Sequence, residues 1–148
     1  RYDYAGQARG AEVLVSISLA CGDPTNPNNF ELCQGVVTHE FTHAWEITRD
    51  NDAYGPSNNS FNELTGCQEN PENPGTYIFS PNQTPLDAHG APSGYGQTNC
   101  EEAFAVSSSI YSSSTQACEM KSQRPAQYHW FLTDPNSPYQ GHEYCPHI

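Results

Sequence analysis

The sequence predicts a small α+β domain that is loop-rich and stapled by disulfides. Three observations carry this. One segment alternates apolar and polar residues as a strand does, three segments place apolar residues at helical spacing, and six cysteines are spread along a chain of 148 residues. That length suits one compact core, so residues 1–148 are read as a single domain. Only 35% of the residues are apolar, and Gly, Pro, Ser and Asn fill much of the remainder, which predicts long loops around modest regular structure.

The strand comes first. Between Glu12 and Leu19, Val13, Val15, Ile17 and Leu19 fall on one side and Glu12, Leu14, Ser16 and Ser18 on the other, so one face is expected to be buried. The following Gly22-Asp23-Pro24-Thr25-Asn26-Pro27-Asn28-Asn29 reads as turn and loop. Leu32 to Ile47 then carries Val36, Val37, Phe41, Ala44, Trp45 and Ile47 at spacings that suit a helix buried on most sides, with Gly35 a weak point near its start. From Asp50 to Gln97 the chain reads mainly as loop, apart from a short strand at Thr76-Tyr77-Ile78-Phe79. A second helix is expected from about Asn99 to Ser112, with Ala103, Val106 and Ile110 in one stripe and Phe104 beside it. A third, short helix starts at Pro125 and carries Tyr128, Trp130, Phe131 and Leu132. The tail from Pro135 reads as coil.

Cys21, Cys33, Cys67, Cys100, Cys118 and Cys145 contain no Cys-x-x-Cys pair, which favours disulfides in an oxidising compartment over a zinc ribbon or redox motif. A secreted, extracellular protein is therefore expected. The Pro- and Asn-rich stretch between Cys21 and Cys33 looks like a closed loop and suggests that these two pair. Two sequons, Asn58-Asn59-Ser60 and Asn82-Gln83-Thr84, sit in polar stretches suited to surface glycosylation. No apolar run approaches the ~20 residues that cross a bilayer, and Arg1 in place of a signal peptide points to a processed chain. Five Lys and Arg against seventeen Asp and Glu give a formal charge of −12. This argues against nucleic acid or a membrane as partner and leans towards basic peptides.

Chemistry concentrates at His39-Glu40-Phe41-Thr42-His43. Residues four apart on a helix lie one turn above each other, so His39 and His43 can aim their imidazoles at one metal ion while Glu40 projects beside it. Zinc suits such a pair: it acidifies a bound water, whose proton an adjacent carboxylate can take and later give to a leaving amine. One catalytic Zn²⁺ and a peptide or protein substrate follow. A buried helix carrying two histidines and a glutamate without a metal would suffer a large desolvation cost.

A catalytic zinc takes three protein ligands and one water, so a third ligand is needed. The metzincin pattern requires Gly and His three and six residues beyond the second His, where this chain has Glu46 and Arg49. The stretch Tyr95-Gly96-Gln97-Thr98-Asn99-Cys100-Glu101-Glu102-Ala103 offers carboxylates on the second helix. With the His-Glu-Phe-x-His-Ala helix, it resembles the anthrax lethal factor-like metallopeptidases, including the Pro-Pro endopeptidases, over roughly Val36 to Leu132. That resemblance implies Glu102, in Glu-x-x-Ala, as third zinc ligand, and Tyr95, seven residues earlier, as the group that stabilises the oxyanion. It also implies a zincin-like fold, with a twisted sheet over the active-site helix and the second zinc helix below. The six cysteines and the long Pro- and Asn-rich insertion depart from the pattern.

Alternatives stay open from the residues themselves. Asn99 and Glu102 have the spacing of a capping box, in which the carboxylate would turn back to a backbone amide. Glu101, about 100° around the helix, is a second candidate ligand or a plain first-turn acid. Asp52, in Asp50-Asn51-Asp52-Ala53-Tyr54-Gly55, partly resembles the Asp and Tyr-Gly element of aspzincins such as deuterolysin. His89, His129, His142 and His147 have no partner spacing that makes a site, although His129 could hydrogen-bond an oxyanion. A non-catalytic extracellular binding domain, stapled by zinc and disulfides, is the rival from another class.

Overall fold

The structure is a computed structural model that describes the backbone of residues 6–9, 12–15, 27–50 and 56–146, and side chains within 33–46 and 60–146. Cys21, Asp52, His147 and residues 16–19 of the expected strand lie outside the described residues. So do the Cys21–Cys33 pairing and the Asp52 alternative. The described part is a small α+β fold in which helices dominate.

Where a twisted sheet was expected over the first helix, the described residues form a two-stranded antiparallel hairpin. Strand β1 (Gly6–Arg9) pairs with β2 (Glu12–Val15), Gly6 opposite Val15 and Arg9 opposite Glu12. The hairpin packs on helix α1 (Pro27–Asp50), the longest element. This helix starts earlier than its apolar spacing indicates. Pro27, read above as loop, stands at its start, where a missing N–H costs nothing and a fixed φ is already helical. Phe41, expected inside, is 57% exposed, but His39, Glu40, Thr42, His43, Ala44 and Glu46 are buried, so among its described side chains α1 is covered on most sides, as expected.

A second helix, α2 (Pro56–Thr65), occupies a stretch expected to be loop. Its sequence offers only Phe61 and Leu64 as apolar positions, too few to show a helical period, yet Phe61 is almost completely buried. Thr65 donates its hydroxyl to the Phe61 carbonyl, and Gly66, at φ +67°, ends the helix in the left-handed region. Strands β3 (Gln68–Glu69) and β4 (Tyr77–Ile78) then pair antiparallel, which places the expected strand at 76–79 in a short hairpin.

Helix α3 (Cys100–Tyr111) begins where predicted, with Asn99 as its N-cap: the Asn99 side chain accepts the Glu102 backbone N–H at 2.8 Å. Helix α4 (Ala117–Gln123) follows. Only Ala117 and Met120 are buried along it, and the Ser-rich run before it hides its start. Helix α5 (Pro125–Thr133) opens on the expected proline.

The core is an aromatic cluster behind α3. Phe61 meets Phe104 edge-on at 5.1 Å between ring centroids and Trp130 at 5.2 Å, while Phe131 lies between Phe104 and Tyr111. Two disulfides fasten this cluster. Cys67–Cys100 ties the end of α2 to the first residue of α3, and Cys118–Cys145 ties α4 to the C-terminal segment. Closing loops of 33 and 27 residues, each stabilises by roughly 3 to 4 kcal/mol in the chain-entropy account. No helix among the described residues is long and apolar enough to cross a membrane.

Phe104→Ala removes a ring with no exposed surface and is expected to lower stability by about 3–5 kcal/mol, read from chemical denaturation. A loss under about 1 kcal/mol would contradict the placement of the core on α3.

Candidate metal centre

Two helices build the site. On α1, His39 and His43 stack one turn apart with ring centroids 4.8 Å from each other and are nearly buried. On α3, Glu102 projects away from Phe104, so one face of the helix supplies the core and the other the carboxylate. His43 Nε2 lies 2.6 Å from Glu102 Oε1, His39 Nε2 lies 3.5 Å from Glu102 Oε2, and the two Nε2 atoms are 3.1 Å apart.

His39, His43 and Glu102 therefore form a group that could hold a metal ion, with one ligand atom from each lying within 4.8 Å of the others. Ligands placed tetrahedrally at about 2.0–2.2 Å from zinc stand roughly 3.3–3.6 Å apart, close to two of the three spacings here. The polar accounting points the same way. Glu102 Oε2, 3.5 Å from His39 Nε2, is buried without a hydrogen-bond partner among the described residues. Two imidazole nitrogens also face each other and a carboxylate, an arrangement that a shared cation completes.

The capping-box alternative separates into its halves. Asn99 caps the backbone, whereas the Glu102 carboxylate turns to the histidines. Glu101 falls on the other side of His43, its Oε1 3.8 Å from Nδ1, beyond hydrogen-bond length. Burial pushes the His43 pKa down, but the hydrogen bond to Glu102 and the charges of Glu102, Glu101 and Glu40 outweigh it, and the net shift is upward. Burial likewise pushes Glu102 up, and its contacts with His39, His43 and Tyr95 hold it well below the ordinary carboxylate range.

Tyr95 sits in a 3-10 turn (Tyr95–Gln97) just before α3. Its ring centroid lies 5.7 Å from that of His39, and although the residue is 62% exposed, burial of the phenol and its interaction with Glu102 raise its pKa above the ordinary value. Gly96 makes the turn possible. A Cβ there would lie 2.6 Å from Pro85, and the Gly96 N–H donates to Ser93 Oγ at 2.9 Å.

Glu40 and His39 border a groove of about 730 Å³ that runs between α1, α3 and the segment 86–89. Arg124 anchors the chain just before that segment by donating to the Thr84 carbonyl at 2.8 Å. Of the remaining histidines, His89 lines the groove away from the ligands, while His129 and His142 are exposed and border no part of it. His129 therefore does not reach the place where an oxyanion would form: α5 presents it on the outer side of the domain.

Sequence reasoning missed the contact that holds the two helices in register. Thr42 Oγ1 bonds Ser108 Oγ at 2.8 Å, and Ser108 in turn accepts the Tyr139 hydroxyl at its carbonyl at 2.8 Å. Hydroxyl residues in a Ser-rich helix carry no signal of such a role. No family model, curated protein or solved structure matches this chain.

The shifts fix a pH dependence for the metal-free protein. Glu102, lowered from 4.5, stabilises the fold above that pH and loses its contribution as pH falls below it. His43, raised from 6.5, stabilises below that pH and loses its contribution as pH rises through its higher folded value. Thermal unfolding is expected to show greatest stability between pH 4.5 and 6.5, and saturating Zn²⁺ is expected to remove the alkaline decline, since the metal takes the neutral imidazole. A profile unchanged by zinc would contradict the site.

Proposed function

We propose that this protein is a secreted zinc-dependent endopeptidase, of the kind implied by its likeness to the lethal factor-like metallopeptidases. The observation that carries the reading is the convergence of His39, His43 and Glu102 at the edge of a groove that Glu40 also borders. A site that only stapled the chain would close its coordination inside the fold. Here ligand and carboxylate face a groove within the roughly 300–1,000 Å³ range of ligand sites. The disulfides accord with an oxidising, extracellular setting.

His39, His43 and Glu102 would hold the ion, and zinc bound there supplies Lewis acidity towards a water and the scissile carbonyl. Glu40 takes the proton from the attacking water and delivers it to the amine as the C–N bond breaks. Tyr95 donates its phenolic hydrogen to the carbonyl oxygen as negative charge develops. Its raised pKa keeps the phenol neutral, and so a donor, across the physiological range. Glu101, 3.8 Å from the far nitrogen of His43, acts on that ring through its charge.

Glu40→Gln is expected to retain one zinc per chain and to lower kcat/KM on peptide substrates by about 10²–10⁴-fold. Tyr95→Phe is expected to lower kcat by about 10²-fold with little change in KM. Turnover by Glu40→Gln equal to that of the wild type would reject the mechanism. Zinc retention without any turnover by the wild type would favour the structural-metal reading.

A further inference from the structure

Gly35 stands in the interior of α1, one turn before His39, and lines the groove. Glycine within a helix costs roughly 0.8–1 kcal/mol relative to alanine, so its place there needs a reason. Close packing does not supply one. A Cβ built at Gly35 meets no atom within 4 Å, whereas at Gly96 the same atom would strike Pro85. Nor does backbone conformation, because Gly35 lacks the positive φ found at Gly66 or Gly75. What the missing side chain leaves is open space in the groove, beside the first metal ligand.

The walls of that space say what fits it. Leu86 and Ile110 are buried side chains that reach the groove, with Val36 and Val106 beside them and serines at the edge. No Lys or Arg lines it. Asp87, next to Leu86 in the lining, accepts the backbone N–H groups of His89 and Ala91 at 2.7 and 3.0 Å. Glu119, bordering an adjoining pocket of about 210 Å³, is hydrogen-bonded to Gln123. Hydrogen bonds do not discharge a carboxylate, so Asp87 and Glu40 make the groove acidic at two points, whereas Val36, Leu86, Val106 and Ile110 give it apolar walls. Those four side chains are the surface offered to a substrate side chain beside Gly35.

We propose that Gly35 is a specificity-determining residue: by withholding a side chain one turn before His39, it keeps the groove deep enough for a bulky, uncharged side chain of a peptide next to the scissile bond. That side chain packs on Leu86, Val106 and Ile110. The inference rests on the peptidase reading above, and it narrows the substrate class from peptides in general to those with a large apolar residue beside the cleaved bond.

The test compares wild type, Gly35→Ala and Gly35→Leu on peptides that differ only in carrying Phe, Ala or Lys beside the cleaved bond. Binding of the fluorescent Phe and Ala peptides to each variant in the Glu40→Gln background is measured in parallel. Wild type is expected to prefer Phe. Gly35→Leu is expected to lose at least about tenfold in kcat/KM on the Phe peptide while staying within threefold on the Ala peptide, with zinc content and unfolding temperature undiminished. Gly35→Ala, which adds one methyl group, is expected to keep the Phe preference and to be the more stable helix. Equal losses on both peptides, no loss on either, or a wild-type preference for Lys would overturn the proposal. If the wild type cleaves nothing, the peptidase reading fails, and weaker binding of the Phe peptide to Gly35→Leu still decides the role of Gly35.

Discussion

The packing of α1 on α3 is the constraint on which the candidate metal centre depends. His39 and His43 come from one helix and Glu102 from another some sixty residues later, yet their ligand atoms converge within 4.8 Å. Small and hydroxyl side chains allow the approach: Ala44, Ala103 and Ser108 are buried, and Thr42 bonds Ser108 across the seam. The Cys67–Cys100 disulfide fixes the start of α3 two residues before Glu102, and the aromatic cluster holds its opposite face. A displacement of α3 by an ångström would separate the ligands, so much of the fold is committed to keeping that helix still.

The same arrangement explains the electrostatics. Two imidazoles and a carboxylate are largely withdrawn from water, and in the metal-free protein they satisfy one another by an ion pair of His43 with Glu102. Glu102 Oε2 nevertheless has no hydrogen-bond partner among the described residues. A cation held there would relieve this and link metal binding to folding. Glu40 and Tyr95 lie at the margin of the cluster, where the fold opens into the groove, and this division separates atoms suited to holding a metal from atoms suited to moving protons.

Elements with a repeating signal were legible in the sequence. The apolar spacing around His39 and His43 marked α1, the Asn99 cap marked the start of α3, and Pro125 marked α5. Helices α2 and α4 were not, because among the described side chains each buries only two residues, and each draws its stability from the aromatic core and the disulfides. At the site, His39, Glu40 and His43 could be read from spacing alone. Glu102 needed the likeness to a family, since its distance in sequence carries no geometric information. Gly35 and the Thr42–Ser108–Tyr139 contact were invisible, being meaningful only once two helices face each other.

Crystallography of the zinc-soaked protein, with anomalous scattering at the zinc edge, tests the central claim most directly. One peak is expected, within about 2.0–2.2 Å of a nitrogen from His39, a nitrogen from His43 and an oxygen from Glu102. A peak bound by the two histidines with Asp52 or Glu101 in place of Glu102, or no peak between the two helices, would contradict the account.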